Sequence, residues 1–116
     1  MKNANKKARQ RAEDFFDIVS YNDLGVPLSG TNLLERLDGC DAYIAGLDYI
    51  TAEIIAQMPE SLKVISRYGA GLDRVDLDAC RKRGIIVTNT PGANARAVSE
   101  LSLGLMLSVA RSIPQL

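Results

Sequence analysis

The sequence predicts an α/β fold in which a parallel sheet carries helices on both faces. Short runs rich in β-branched and aromatic residues alternate with segments of helical periodicity, which is typical of strand–helix units. A long apolar helix follows the last of these units. Four strands are expected, at 17–21, 42–45, 63–67 and 85–88.

Three helices are expected between these strands, at 31–37, 51–58 and 77–83. Thr51 and Asp76 precede the second and third of them and can accept hydrogen bonds from the first helical amides. Pro59 ends the second helix, and Gly84 supplies a left-handed residue after the third. These signals fix the predicted boundaries.

Residues 1–16 form a basic segment with a helical pattern. Five of the 14 basic residues and no acidic residue lie within 1–11, so nine basic residues face 14 acidic ones elsewhere. Such a segment could contact nucleic acid or an anionic membrane, but no aromatic residues interleave for base stacking. We expect a solvated helix and neither partner. Folds of this class open with a strand, so the first strand is expected to be missing.

The segment 94–116 predicts a long apolar helix that begins near Asn94. Val98, Leu101, Leu105 and Val109 share one face, and other apolar residues cover much of the rest. Glu100 and Arg111 interrupt it, and it falls short of a membrane span. We expect its outer face to meet a second domain or another subunit, and Glu100 to pair with a helix N-terminus or an adjacent loop.

Cysteine and histidine usage bears on metal binding and on the cellular compartment. Cys40 and Cys80 form no Cys-x-x-Cys pair and the chain contains no histidine, so no metal site is expected. Two free thiols, and a start without the apolar core of a signal peptide, predict a cytoplasmic protein.

The strongest candidate for a binding site follows the strand at 63–67. Ligands bind beyond the carboxyl ends of strands in open α/β sheets, and here two glycines stand at that position. The amides of Gly69, Ala70 and Gly71 could form a nest for a carboxylate, with positive charge from Arg67. From the glycines alone, a plain strand-to-helix turn is the favoured explanation. Arg74 occupies the third-glycine position, so this is no dinucleotide fingerprint.

A second loop, at 89–94, follows the next strand and is expected at the same edge of the sheet, although Pro91-Gly92 is also a common turn pair. Together the segments resemble the D-isomer-specific 2-hydroxyacid dehydrogenases, most closely the phosphoglycerate dehydrogenase branch. The resemblance rests on Arg67-Tyr68-Gly69-Ala70-Gly71-Leu72-Asp73, Val75-Asp76-Leu77, Gly84-Ile85-Ile86-Val87-Thr88-Asn89-Thr90-Pro91-Gly92-Ala93-Asn94 and Val98-Ser99-Glu100-Leu101.

This resemblance implies a flavodoxin-like substrate-binding domain at 17–93, incomplete because its first strand is missing, and an interdomain or dimerisation helix at 94–116. The Rossmann NAD-binding domain is expected to be absent. The implied activity is the NAD-dependent oxidation of the CH–OH group of a D-2-hydroxy acid. By resemblance, the Tyr68 to Gly71 amides hold the substrate carboxylate, Arg67 contacts the substrate edge, and Ala70 and Val98 line the nicotinamide side.

The chain departs from the family in having no histidine and no Gly-x-Gly-x-x-Gly turn, so alone it is expected to be inactive. The alternative is a non-catalytic module for small-acid binding or oligomerisation. Phosphoglycerate is the first expected substrate, although the loop that contains Ala45 and Asp48, expected to face its distal end, has no basic residue for the phosphate. The missing strand predicts either that 17–21 and 42–45 pair directly, or that strand exchange in a homodimer fills the gap.

Overall fold

The structure, a computed structural model, describes residues 2–113, with side chains from residue 6 onward. Five helices and three strands alternate along most of the chain. In chain order they are α1 (Lys2–Phe15), α2 (Gly30–Leu37), β1 (Ala42–Ala45), α3 (Ala52–Gln57), β2 (Val64–Arg67), α4 (Leu77–Lys82), β3 (Ile86–Thr88) and α5 (Ala95–Ala110). The α/β class is therefore confirmed.

The three strands form one parallel sheet in the order β1-β2-β3. Ala42, Val64 and Ile86 lie side by side in the register, so each following residue meets its counterpart on the neighbouring strand. Parallel pairing brings the carboxyl ends of all three strands to one edge. This edge carries the loop that contains Gly69 to Gly71 and the loop at 89–94, as the sequence predicts.

The predicted strand at 17–21 is wrong, because this segment is irregular and pairs with no strand. The Tyr21 carbonyl accepts a hydrogen bond from Arg36 of α2, and its hydroxyl donates to Glu13 of α1. Asn22 then builds a turn by donating to the Val26 carbonyl at 2.7 Å. These side-chain contacts replace ladder hydrogen bonds. The predicted pairing of 17–21 with β1 is therefore also wrong, and within residues 2–113 the outer edge of β1 is unpaired.

Within residues 2–113, one face of the sheet is covered and the other is open, which corrects the prediction of helices on both faces. Tyr43, Ile65 and Val87 share a register position and pack into or against the core, whereas Ile44 and Ile86 on the opposite face are 66% and 64% exposed. The covering helices are α2, α3 and α4. The core comprises Leu28, Leu33, Leu37, Ala45, Ile50, Ile55, Met58, Leu62, Ile65, Val75, Cys80 and Ile85.

The helix α5 begins after Asn94, as the sequence predicts, but it ends at Ala110 and none of its residues is buried. Residues 114–116 of the predicted segment lie outside the described residues. Its apolar side chains face solvent over most of the circumference because no described element packs on it. Glu100 pairs with Arg96 one turn earlier at 2.8 Å, so its predicted pairing with a loop or helix N-terminus is wrong. No helix within residues 2–113 combines the length and hydropathy that a bilayer crossing requires.

The start of α4 carries the predicted cap, since Asp76 accepts a hydrogen bond from the Ala79 amide at 2.9 Å. Thr51 precedes α3, but its side chain makes no capping hydrogen bond. Asp76→Ala is expected to lower the free energy of unfolding by about 1 kcal/mol in urea titrations, because the amide loses its acceptor. Asp78→Ala, which removes an exposed ion pair with Arg81 and a first-turn charge but no capping acceptor, serves as control. Equal losses in the two variants would contradict the capping role.

Candidate functional site

The site is built on the loop that follows β2 at the carboxyl edge of the sheet. Arg67 is the last residue of β2, and the Tyr68 amide still donates to the Ala45 carbonyl of β1 at 2.9 Å. The chain then leaves the ladder at Gly69, whose φ of +140° lies in a region that L side chains rarely adopt. The hydrogen bond between β1 and Tyr68 therefore fixes the position at which the loop begins.

Three successive carbonyl groups of this loop accept hydrogen bonds from the protein. The Tyr68 carbonyl accepts from the Arg67 guanidinium. The Gly69 carbonyl accepts from the Thr90 amide at 3.0 Å, and the Ala70 carbonyl from Asn89 Nδ2 at 2.7 Å. The loops after β2 and β3 are thus joined, as expected from strands that end at one edge.

The amides that follow these carbonyls are unpaired within residues 2–113. Gly69, Ala70 and Gly71 donate no hydrogen bond to any described group. Backbone N–H groups carry partial positive charge, and several in succession bind anions such as carboxylates. The arrangement is chemically suited to hold one small anion.

Arg67 is 8% exposed and lies beneath the loop. Its guanidinium holds the Tyr68 carbonyl, and its Nε is buried without a hydrogen-bond partner in the described part of the chain. A Cβ placed on Gly69 would lie 3.2 Å from Nη1 of Arg67, so the two residues are in close approach. Arg67 therefore places positive charge behind the row of amides.

A buried carboxylate fixes the adjacent loop after β1. Asp48 accepts hydrogen bonds from the Leu28 amide and the Tyr43 hydroxyl, both at 2.5 Å, and from the Gly46 amide at 3.2 Å. Asp48 and Ala45 are both buried, and the predicted position of their loop at the distal end of a substrate stays a prediction. Asp48 turns inward because its oxygens satisfy three donors. No sequence pattern indicates this role, beyond the presence of a lone acid in a short loop.

The contribution of the Tyr43–Asp48 contact to stability should be measurable at alkaline pH. Burial, and secondarily the hydrogen bond to Asp48, raise the pKa of Tyr43 well above its usual value. The folded protein retains the Tyr43 hydroxyl proton to a higher pH than the unfolded chain does. The stability gained from this difference is complete below the unfolded pKa of about 10 and declines as pH rises above it. The original chain should lose stability between about pH 10 and 11 more steeply than Tyr43→Phe in urea titrations. Parallel curves would contradict this.

Substitution of Gly69 by alanine should destabilise the fold by about 1–3 kcal/mol, because φ of +140° strains any residue with a Cβ. Gly104→Ala in α5 is the matched control, since its Cβ would meet open space and alanine favours helices. Urea unfolding should show the two substitutions shifting the midpoint in opposite directions. A neutral effect of Gly69→Ala would mean that the loop relaxes freely.

The two residues expected to contact a cofactor belong to different elements. Ala70 is half-buried in the loop after β2, and Val98 is exposed in the first turn of α5.

Residues 2–113 contain no group of three or more acidic, cysteine or histidine side chains placed to hold a metal ion. Burial raises the pKa of the Cys80 thiol, and both cysteines are free.

Comparison with known proteins identifies the class. Residues 1–104 match the model of the D-isomer specific 2-hydroxyacid dehydrogenase, catalytic domain. The chain therefore belongs to the D-isomer-specific 2-hydroxyacid dehydrogenase family.

Particular members resemble it closely over part of their length. A D-3-phosphoglycerate dehydrogenase of Methanocaldococcus jannaschii is 38% identical over 97 residues, which are 84% of this chain and 18% of that protein. A glyoxylate reductase of Thermococcus litoralis is 38% identical over 102 residues, 87% of this chain and 30% of the relative. The NAD⁺-bound 3-phosphoglycerate dehydrogenase of Entamoeba histolytica superposes with a TM-score of 0.60 at 37% identity, covering 78% of this chain and 28% of that one. The chain thus spans less than a third of these relatives.

Proposed function

We propose that this chain provides the carboxylate-binding part of an NAD-dependent dehydrogenase acting on the CH–OH group of a D-2-hydroxy acid. The observation that carries the proposal is the row of unpaired amides at Gly69, Ala70 and Gly71, whose preceding carbonyls are all held by other groups. A carboxylate is the group that 2-hydroxy and 2-oxo acids share. Such a row supplies several donors to its oxygens without reorganisation.

Arg67 supports the proposal through charge. A guanidinium beneath the loop favours an anion over a neutral ligand, since little water separates the two in a largely buried position. The relatives named above act on different acids, so the substrate is proposed by class. Phosphoglycerate remains the first particular candidate by family resemblance, although neither Ala45 nor Asp48 offers a cation to its phosphate.

NAD is the proposed cofactor of the complete activity, where it would accept the hydride. Small Ala70 and exposed Val98 leave apolar surface suited to a flat ring, and by resemblance they would contact the nicotinamide. This chain has no histidine for proton transfer and no Gly-x-Gly-x-x-Gly turn for the pyrophosphate. These 116 residues are therefore proposed to be inactive alone. The proposed compartment is the cytoplasm, which is reducing enough to keep both thiols free.

Calorimetry with three ligands tests this proposal. Glyoxylate should bind to the chain, its neutral methyl ester should bind at least about tenfold more weakly, and NADH should not bind detectably. The ester is the matched control because it keeps the aldehyde and replaces the charged carboxylate by a neutral group one methyl larger. Equal binding of acid and ester, or none of either, would contradict the carboxylate site. Turnover of glyoxylate with NADH would contradict the proposed inactivity.

A second candidate function, an oligomerisation module, is favoured by the exposed surface of α5. Leu101, Leu105, Met106 and Val109 are each more than half exposed. Monomers rarely leave contiguous apolar patches of more than a few hundred Å² in water. We infer that a second copy of the chain covers this helix in a homodimer, and that β1, with its unpaired edge, adds to the contact by strand exchange.

Light scattering on the purified chain should therefore give twice the monomer mass. Leu105→Glu should shift the protein towards monomer because it places a charge on the apolar face of α5. Ile18→Glu, at an even more exposed apolar position in the irregular segment, should leave the mass unchanged. A monomer in the unsubstituted chain would overturn the dimer and leave the carboxylate site unaffected.

A further inference from the structure

Asn89 links the two loops that form the carboxyl edge of the sheet. It is the first residue after β3, and its half-buried side chain reaches 19 positions back along the sequence to donate to the Ala70 carbonyl at 2.7 Å. The next residue, Thr90, donates its backbone amide to the Gly69 carbonyl at 3.0 Å. Two adjacent residues after β3 thus hold two adjacent carbonyls after β2.

The planarity of the peptide group gives this contact a second effect. In a trans peptide, the carbonyl of one residue and the amide of the next point in opposite directions. Holding the Ala70 carbonyl towards β3 therefore turns the Gly71 amide away from it. The same reasoning connects the Gly69 carbonyl with the Ala70 amide, and the Tyr68 carbonyl with the Gly69 amide.

The three carbonyls depend on different donors. Any residue other than proline at position 90 could supply the backbone amide that holds Gly69, whereas Ala70 is held by a side-chain amide group. The orientation of the Gly71 amide is therefore set by the residue type at position 89. Glycine at position 71 restricts its own backbone little, so the peptide group between Ala70 and Gly71 keeps one orientation only if the Ala70 carbonyl is held.

We propose that Asn89 is a positioning residue for the carboxylate site, which it serves by fixing the Gly71 amide in the orientation that faces the anion. This inference rests on the proposed function, since it assumes that the amide row binds a carboxylate. Asn89 touches no substrate in this role. It acts through the Ala70 peptide group.

Glyoxylate titration combined with amide NMR tests the proposal. Asn89→Ala is expected to weaken glyoxylate binding by about tenfold, because one donor of the row is no longer held in place. Without ligand, its amide chemical shifts should change chiefly at Ala70, Gly71 and the next residue. Thr88→Ala, at the exposed end of β3, should change neither reading. Asn89→Gln, which retains the donor, should recover part of the affinity.

The outcomes separate this inference from the proposed function. If the unsubstituted chain does not bind glyoxylate, the carboxylate site itself is overturned. If it binds and Asn89→Ala binds equally well, or if the Gly71 shift is unchanged, only the positioning role is overturned. Asn89→Leu, similar in shape but without a donor, supplies the same comparison if the alanine variant does not fold.

Discussion

Replacing Ile65 by alanine is expected to lower the free energy of unfolding by about 2–5 kcal/mol. Ile65 lies in the central strand β2 and is fully buried, so the substitution removes apolar contacts and leaves a cavity between the sheet and its helices. The total free energy of unfolding of a domain is about 5–15 kcal/mol, and small domains fall at the low end. Urea titration followed by circular dichroism should show a large shift of the midpoint, or no folded baseline.

Ile86→Ala is the matched control for this prediction. Ile86 belongs to the neighbouring strand of the same sheet but stands on the open face, where 64% of it is exposed. Its loss should cost well under about 1 kcal/mol in the monomer, because little buried area is removed. Comparable losses for the two isoleucines would mean that the open face of the sheet is covered in solution.

The second large effect is expected at Asp48, where alanine should lower the free energy of unfolding by about 3 kcal/mol or more. The substitution leaves the Leu28 amide, the Gly46 amide and the Tyr43 hydroxyl without their acceptor. An unsatisfied buried donor costs about 1–3 kcal/mol, and not all three can reach water by a small movement. Urea unfolding measures the loss, and hydrogen exchange should show the Leu28 amide losing protection.

Two substitutions separate the role of Asp48 from a general charge effect. Asp17→Ala removes an exposed carboxylate from the irregular segment and should change stability by less than about 0.5 kcal/mol. Tyr43→Phe removes one of the three donors and should cost about 1 kcal/mol. An Asp48→Ala protein as stable as the original would show that solvent reaches the three donors readily.

The local elements were predictable because each depends on residues close in sequence. Strands β1, β2 and β3 and helices α2, α3 and α4 lie within two residues of their predicted bounds. Alternation of apolar residues, the Asp76 cap and Gly84 acted over a few positions and required no knowledge of distant contacts. The loop at Gly69 to Gly71 was predictable for the same reason, because a strand leads directly into two glycines.

The predictions failed where a particular side-chain contact, in most cases with a residue distant in sequence, decided the outcome. The segment 17–21 has strand-like composition, but Arg36 and Glu13 bind Tyr21 and replace a sheet neighbour. Glu100 found Arg96 one turn away on an exposed helix surface. Asp48 satisfies an amide 20 positions before it, which no local pattern indicates.

The sequence by itself determined the α/β class, the family and the loop suited to an anion, because strand periodicity, capping and a long motif are properties of neighbouring residues. Tertiary structure decided which face of the sheet is covered, that the Asp48 carboxylate turns inward, and that Asn89 and Thr90 hold the carbonyls of the Gly69 to Gly71 loop. The Asn89 and Thr90 contacts follow from the pairing of parallel strands, which brings together loops separated by about 20 positions. The Leu28–Asp48 contact likewise joins residues 20 positions apart, and the sequence between such partners carries no signal of their contact.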